Sequence, residues 1–366
     1  MDHPENNCEY KGLQVNSGVS SQPIVNPYRR KRVRRPELSA GDYVEGIRKG
    51  DVSILGQAVT LVESTIDSHR QLAQEVIEKC LPYTGNSRRI GITGVPGAGK
   101  STSIDVFGLH VLRDGGKLAV LAIDPSSERS RGSILGDKTR MEKLSVHPSA
   151  FIRPSPSAGS LGGVARKTRE TIVLCEAAGF NNIFVETVGV GQSETAVHSM
   201  VDFFLLIQLA GTGDELQGIK RGIMEMADGI AINKADGNNV EKAELAAQQF
   251  RSALHLFPPT PSKWVPEVVT YSGYYELNID KVWDMIDRYF EYVRKTGYFE
   301  QRRNEQAKYW MLQTIDEKLR NDFYSRPDIR KLLEQKEQRI LNNEQSSFTA
   351  AQDVLTHYYS SLKNPS

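Results

Sequence analysis

The sequence predicts an α/β fold in which a mostly parallel, doubly wound sheet is flanked by helices at both ends of the chain. From Arg88 onward, short apolar segments alternate with amphipathic segments of helical length. Before and after that stretch the apolar spacing is helical only. Strand–helix alternation produces βαβ units, whose strands run parallel and whose helices cover both faces of the sheet.

The composition is that of an ordinary globular protein, with 39% hydrophobic and 25% charged residues among 366. Lys and Arg number 46 against 45 Asp and Glu, so no overall field favours nucleic acid or a membrane surface as partner. No apolar run reaches the roughly 18 residues that a membrane span needs, and residues 1–25 lack an apolar leader. Cys8, Cys80 and Cys175 are far apart, which excludes a disulfide framework. We therefore expect a cytoplasmic protein.

The two ends of the chain are predicted to carry extensions. Residues 1–37 are rich in Asn, Ser, Gly and Pro and include the basic run Tyr28–Pro36, so a disordered basic tail is expected, with no function assigned. Residues 38–86 form an N-terminal helical extension, with helices near Ala40–Lys49, Val52–Ser64 and Ser68–Leu81. Residues 300–366 read as helices near Glu300–Asp322, Arg330–Asn342 and Phe348–Leu362, the last capped by Ser347. This helical arm lacks a large core, so a second copy is one candidate to cover its apolar stripe.

Residues 87–299 are predicted to be the sheet domain. The predicted strands are Arg89–Thr93, Leu118–Ile123, Phe151–Arg153, Ile183–Glu186, Phe203–Leu209, Gly229–Asn233 and Val265–Tyr271. The predicted helices are Ser101–Leu112, Gly163–Ala178, Leu216–Ala227, Val240–Leu256 and Ile279–Lys295.

A glycine-rich segment joins the first of these strands to its helix. It reads Gly94-Val95-Pro96-Gly97-Ala98-Gly99-Lys100-Ser101 and continues with Thr102. The segment matches G-x4-GK[ST], in which backbone N–H groups surround a phosphate and the helix N-terminus adds its dipole. Lys100 is expected to reach the β- and γ-phosphates, and the Ser101 hydroxyl to bind Mg²⁺. Gly94, Pro96, Gly97, Ala98, Gly99 and Thr102 are expected to complete the phosphate cradle of this P-loop.

A second motif indicates which base is bound. Asn233-Lys234-Ala235-Asp236 follows an apolar strand, at the sheet edge where α/β proteins bind ligands. It matches NKxD, in which the Asp236 carboxylate accepts hydrogen bonds from guanine N1–H and the exocyclic N2 amine, two donors that adenine lacks. The Lys234 stem would lie over the base, and Asn233 would hold the loop. Ser272, after the last strand, is a further candidate base contact. The motif therefore favours GTP over ATP.

Acidic residues near two other strand ends are candidates for the metal. Glu186 ends its strand and is expected to act on Mg²⁺ through water, while the amide of the following Gly189 bonds the γ-phosphate. Asp124 ends the second strand, within reach of the metal's outer sphere or the attacking water. Asp137 lies on a Gly- and Ser-rich loop that could close on the nucleotide, with a solvated loop acid as the alternative. No residue is assigned to position the attacking water.

Six segments in this order carry a family resemblance: GVPGAGKST, AIDPSSERSRGSILGDKTRM, FIRPSPSAGSLGGV, ETVGVGQSE, GDELQGIKRGIMEMAD and NKADG. They closely resemble the methylmalonyl-CoA mutase-associated GTPase chaperones, whose bacterial members were earlier labelled LAO/AO or arginine/ornithine transport ATPases. The resemblance covers about Leu38 to Leu362. It implies a P-loop NTPase of the SIMIBI type, related to the signal-recognition and nickel-chaperone GTPases, with a C-terminal arm that forms a homodimer.

The resemblance also implies a partner and residue roles. The partner is adenosylcobalamin-dependent methylmalonyl-CoA mutase or a close acyl-CoA mutase, whose cofactor loading the family gates and which it protects, using GTP hydrolysis. Lys100 and Ser101 fall on the phosphate and Mg²⁺ positions, and Asp124, Asp137 and Glu186 on acids assigned to metal binding or catalysis. Gly211–Gly222 falls on a switch loop that couples nucleotide state to the mutase.

Two other functions remain open from the residues. A transport-associated kinase for arginine or ornithine uptake would need a phospho-acceptor and a preference for ATP, against which the NKAD segment argues. A nickel-delivery GTPase of the same superfamily should show clustered Cys and His ligands, which the sequence lacks.

Overall fold

A computed structural model describes residues 38–123, 141–154, 161–187, 193–210 and 221–363. These residues contain seven strands, and every neighbouring pair is parallel, in the order β3-β2-β4-β1-β5-β6-β7. The predicted doubly wound parallel sheet is therefore confirmed. The strands are β1 (Arg88–Gly94), β2 (Leu118–Ile123), β3 (Ala150–Pro154), β4 (Asn182–Thr187), β5 (Phe203–Leu209), β6 (Gly229–Asn233) and β7 (Glu267–Thr270).

The helices precede, cover and follow this sheet. Three helices come before it: α1 (Ala40–Arg48), α2 (Val52–Glu63) and α3 (Asp67–Cys80). Within the sheet domain lie α4 (Lys100–Arg113), α5 (Glu142–Ser145), α6 (Leu161–Ala177), α7 (Ser193–His198), α8 (Arg221–Met226), α9 (Val240–Leu254) and α10 (Ile279–Lys295). After it come α11 (Tyr298–Ser325), α12 (Pro327–Leu341) and α13 (Ser347–Lys363).

Several predicted boundaries differ from the structure by one to three residues, and two of these differences have a clear local cause. The last strand begins at Glu267 rather than Val265, because Pro266 has no N–H for the ladder and Val265 is exposed. The last helix is capped by Ser346 rather than Ser347: the Ser346 hydroxyl accepts from the Thr349 N–H at 3.2 Å. Of the predicted helix Leu216–Ala227, only Arg221–Met226 lies within the described residues as α8.

Helices cover both faces of the sheet, as the nearly continuous burial of the central strands requires. On one face, Ile90, Ile92 and Val120 pack with the apolar sides of α4 and α10. On the other, Ile230 and Ile232 pack with α9. Helices α1 to α3 pack on one another and on α6. Strand β1 lies between β4 and β5, so the chain after β1 emerges in the middle of the sheet, at the edge where strands end.

The C-terminal helices are packed differently. The start of α11 is bound to the opposite sheet edge, where strands begin: Arg303 forms a bidentate pair with Asp202 at 2.8 and 2.9 Å. Helices α12 and α13 pack against each other. Many apolar side chains of these helices are nevertheless exposed, among them Tyr309, Met311, Leu312, Ile315, Leu319, Tyr324, Leu341, Phe348, Tyr359 and Leu362. No helix in the described part of the chain is both long enough and apolar enough to cross a membrane.

Candidate nucleotide site

The loop after β1 takes a shape that its glycines make possible. Gly94 has φ +155° and Gly99 has φ +87°. A Cβ at Gly94 would lie 2.2 Å from the Ile207 carbonyl oxygen, and one at Gly99 would lie 2.5 Å from Asn233 Nδ2. Glycine is therefore required at both positions by neighbouring strands as well as by backbone angles. Pro96 and Gly97 are exposed at the tip of the loop, whereas Ala98 is buried beneath it.

Helix α4 starts at the end of this loop with an open N-terminus. Gly99 precedes its first residue, Lys100, and no side chain caps the terminus among the described residues. The amides of the first turn, including Ser101 and Thr102, are those that a phosphate binds at such a terminus. Thr102 is exposed and Ser101 is half-buried. The geometry is that of an anion site at the carboxyl edge of a parallel sheet.

Lys100 lies buried at the mouth of the loop. Its Nζ donates to the carbonyls of Gly94 at 2.8 Å and Val95 at 3.3 Å. Burial lowers the pKa of Lys100, and the carboxylates of Glu186 and Glu194 oppose that shift. A cation held by neutral carbonyls inside a glycine loop can exchange those partners for phosphate oxygens.

The end of β4 brings an acid to the start of α4. Glu186 is 9% exposed, and its Oε1 accepts from the Ser101 hydroxyl at 3.3 Å. The neighbouring Thr187 hydroxyl donates to Thr93 Oγ1 at 2.8 Å, which binds the ends of β4 and β1 together. A hydroxyl and a carboxylate are hard oxygen ligands, which Mg²⁺ prefers, with phosphate oxygens and water completing its shell. These two side chains therefore fit Mg²⁺.

Asn233 joins the phosphate side of the site to the base side. Its Nδ2 donates to the Ala98 carbonyl at 2.8 Å, inside the P-loop. Its Oδ1 accepts from the backbone N–H of Lys234 at 2.7 Å and of Gly273 at 3.0 Å. One buried amide thus fixes three loops that follow β1, β6 and β7.

The base loop is held by a second set of bonds. The Ser272 hydroxyl donates to Asp236 Oδ2 at 2.6 Å, which fixes the orientation of the partly exposed carboxylate. Lys234 is exposed, with a backbone φ of +61°, and its carbonyl accepts from Asn239 Nδ2 at 2.8 Å. Ser272 is fully buried and contacts Asp236. Its direct contact with a base stays a prediction.

The sequence patterns did not indicate the part played by Tyr271. This side chain is fully buried, and its hydroxyl lies 2.6 Å from Ser103 Oγ on α4. Its backbone carbonyl accepts from the Ala235 N–H at 2.9 Å, so the same residue holds the base loop. Burial raises the pKa of the Tyr271 phenol well above its usual range, which keeps it protonated. Tyr271 therefore links α4 to the base loop.

The structure brings most of the predicted site residues together at the carboxyl edge of the sheet. They are Gly94, Pro96, Gly97, Ala98, Gly99, Lys100, Ser101, Thr102, Glu186, Asn233, Lys234, Asp236 and Ser272. Asp124, Asp137 and Gly189, and residues 211–220 of the predicted switch loop, lie outside the described residues. Their roles stay predictions.

Residues 55–328 match the family described as methylmalonyl Co-A mutase-associated GTPase MeaB. A Mycobacterium tuberculosis protein named "Probable GTPase Rv1496" is 48% identical over 318 residues, which cover 86% of this chain and 95% of that protein. The mouse protein named methylmalonic aciduria type A homolog, mitochondrial, is 42% identical over 325 residues, covering 86% of this chain and 78% of that protein.

A solved structure is also similar over most of its length. The crystal structure titled LAO/AO transport system kinase superposes with a TM-score of 0.71 at 36% sequence identity. The match covers 87% of this chain and 97% of that chain. The fold and the sequence comparisons therefore agree over the sheet domain and the helices on either side of it.

Proposed function

The chain belongs to the MeaB family of methylmalonyl-CoA mutase-associated GTPases and is a GTPase that binds guanine nucleotide, and we propose that it acts as a G-protein chaperone of an adenosylcobalamin-dependent acyl-CoA mutase. Methylmalonyl-CoA mutase is the first candidate partner, because the matched family is described by its association with that enzyme. In this role GTP hydrolysis gates the loading of the mutase with its cofactor and protects the mutase.

The observation that carries the nucleotide half of the proposal is the linkage through Asn233. Because one side chain bonds both the P-loop and the loop that carries Asp236, a nucleotide can be held at phosphate and base by elements of fixed separation. Asp236 would accept from guanine N1–H and the N2 amine, while the Ser272 hydroxyl orients its carboxylate through Oδ2. Adenine has neither N1–H nor an amine at C2 and would leave that carboxylate without these donors, so we expect the site to select guanine.

We assign the hydrolytic roles on the phosphate side. The Lys100 ammonium binds the β- and γ-phosphates, and the first-turn amides of α4 bind the remaining phosphate oxygens. Ser101 and Glu186 would hold Mg²⁺, which neutralises charge on the phosphates when bound. Asp124 and Asp137 keep the metal-binding or catalytic roles that the resemblance gives them, and Gly189 keeps the γ-phosphate contact predicted from its position after β4.

The arm supports the assembly half of the proposal. Ile315 and Leu319 stand one helical turn apart on α11 and are 46% and 59% exposed. Apolar surface of this kind marks an interface, and we propose that a second copy of the chain covers it in a homodimer. The switch segment 211–222 is expected to report nucleotide state to the mutase.

Hydrolysis assays test the function directly. Purified protein with Mg²⁺ should hydrolyse GTP in strong preference to ATP, and adding an adenosylcobalamin-dependent acyl-CoA mutase should change the GTP rate. Equal affinity for GTP and ATP would contradict the assignment of Asp236. A rate for GTP that no such mutase alters would contradict the chaperone role while leaving the GTPase intact.

A further inference from the structure

Helix α7 packs on β1 and β4, the strands that lead into the P-loop and to Glu186. Ser193 and Glu194 are almost completely buried. The Glu194 carboxylate acts on the Lys100 ammonium, together with that of Glu186, and both raise the pKa of Lys100 against the effect of burial. Glu194 therefore forms part of the electrostatic surroundings of the lysine that the P-loop motif assigns to the phosphates.

The other end of α7 is bound to the C-terminal arm. Gln306 Nε2 on α11 donates to the Val201 carbonyl at 2.8 Å, and Trp310 Nε1 donates to the Ser199 carbonyl at 3.0 Å. Arg302 approaches the His198 ring at 3.2 Å. Burial, and then Arg302, lower the pKa of His198 to about 3, so the ring is neutral and its nitrogen accepts from the guanidinium. Three side chains of one helix thus hold the turn that ends α7.

The segment between these two ends is tightly packed. Six helical residues span about 9 Å. Helix α7 lies on β1 and β4, and Val197 and Val201 are fully buried. A Cβ at Gly91 of β1 would lie 2.9 Å from Val197 Cγ1 and 3.0 Å from Val201 Cγ2, so no space separates strand and helix. A close-packed element of this kind shifts as a unit, because displacement of one end is not absorbed by empty space.

We propose that α7 couples the hydrolytic site to the root of the C-terminal arm, with Gln306 and Trp310 as positioning residues that act through α7 on β1 and β4, the strands that carry the P-loop and Glu186. The proposal rests on the GTPase function above and adds a path of contacts by which the arm affects that function. Coupling between two sites is reciprocal for binding. A partner that moves α11 would change the nucleotide site, and the nucleotide state would change the surroundings of Trp310.

A double variant tests the effect of the arm on the site. In Gln306→Met/Trp310→Phe the hydrogen bonds from these two side chains to the α7 turn are lost, both replacements are apolar, and the Val201 carbonyl keeps the Arg302 Nε donor at 3.2 Å. The phenyl group of the variant keeps an aromatic ring beside Arg169, whose guanidinium carbon lies 5.4 Å from the Trp310 ring centre. Gln306 Oε1 is buried without a hydrogen-bond partner in the described part of the chain, so replacing that acceptor adds no new unsatisfied group. We expect kcat for GTP to fall about 3- to 10-fold, with KM within about twofold of wild type.

Arg288→Gln is the matched control. It also removes two hydrogen bonds, from Arg288 Nε and Nη2 to Glu267 at 3.2 and 2.7 Å, but these join α10 to β7 and do not touch α7. Its kcat should stay at the wild-type value. Equal losses in both variants would overturn the proposal, because the effect would then be general loosening, and so would an unchanged kcat in the double variant.

Tryptophan fluorescence of the full chain tests the reverse direction and needs no variant to hydrolyse GTP. Emission should differ between the GDP form and the form with a non-hydrolysable GTP analogue, and Trp310→Phe should abolish that difference because Trp264 and Trp283 do not bond the α7 turn. Identical emission in the two forms, or a difference that persists in Trp310→Phe, would overturn the coupling. Absence of GTP hydrolysis by the wild type would instead defeat the proposed function, so the two failures are distinguishable.

Discussion

The sheet domain and the C-terminal arm bury their apolar side chains to very different extents. In the sheet domain, β1, β2, β4 and β6 are buried almost throughout, under helices on both faces. In the arm, α11 has only Phe299 and Gln306 buried, and α12 only Ile329. The residues of the nucleotide site therefore all come from the sheet domain, whereas the arm presents exposed apolar surface of the kind that we propose a second copy covers.

The two regions also lie at opposite edges of the sheet. The site residues follow the ends of β1, β4 and β6, while α11 is bound where β5 begins, through Asp202. Substitutions at the carboxyl edge should therefore change nucleotide handling without changing assembly, and substitutions on the exposed face of the arm should do the reverse. The following variants test that separation.

Lys100→Ala should have the largest effect. Removal of the cation between the P-loop carbonyls and the acids of β4 and α7 should weaken GTP binding by roughly 100-fold or more, since charge-assisted bonds to phosphate are lost in a buried site. Calorimetry with GTP measures this, and Lys318→Ala, an exposed lysine of the arm, is the control. The oligomeric state of Lys100→Ala should equal that of wild type, and dissociation of this variant would break the separation.

Glu186→Gln should lower turnover more than affinity. If the carboxylate bonded to Ser101 acts on metal and water, as we propose, kcat for GTP should fall about 100-fold. The apparent Kd for GTP should change by only a few-fold. Single-turnover assays beside equilibrium binding separate the two quantities. A loss of affinity as large as the loss of kcat would show that Glu186 serves binding.

Asp236→Ala should weaken GTP and GDP binding about 10- to 100-fold, because two buried donors of the base lose their acceptor. ATP affinity should change little, which makes ATP the internal control. Ser272→Ala provides a second test. If Ser272 acts by orienting Asp236, Ser272→Ala should also weaken GTP binding, but by less than Asp236→Ala does. An Asp236→Ala variant that binds GTP as wild type does would exclude the base assignment.

Ile315→Glu/Leu319→Glu should convert a dimer into a monomer, because a dry interface does not accept two unpaired carboxylates. The nucleotide affinity of this variant should stay within about twofold of wild type. Sedimentation measures the mass. Removal of all residues after about 300 is a poorer experiment, since it deletes Arg302 and Arg303 and leaves Asp202 and Asp228 without their cations. A wild-type protein that sediments as a monomer would refute the homodimer.

Local motifs explain why so much of the site could be predicted from sequence. The P-loop and NKAD segments place their residues by backbone geometry within eight residues, so the positions of Lys100, Ser101 and Asp236 at one sheet edge could be predicted without a structure, while their roles stay predictions. The contacts that hold those motifs together were not predictable. Ser103 meets Tyr271, and Trp310 meets Ser199, across more than 100 residues of chain. Neither pair belongs to a spacing pattern, because contacts between residues so far apart in the chain are determined by strand order and helix packing.

The affinity of the mutase for the two nucleotide forms is the quantity on which the chaperone role depends. Purified adenosylcobalamin-dependent methylmalonyl-CoA mutase is titrated with the protein bound to GDP and to a non-hydrolysable GTP analogue, and cofactor loading is followed in the same samples. A nucleotide can switch a partner only through a difference in interaction free energy between the two forms. We predict different affinities and different loading in the two forms. Identical affinities and identical loading would exclude the chaperone role.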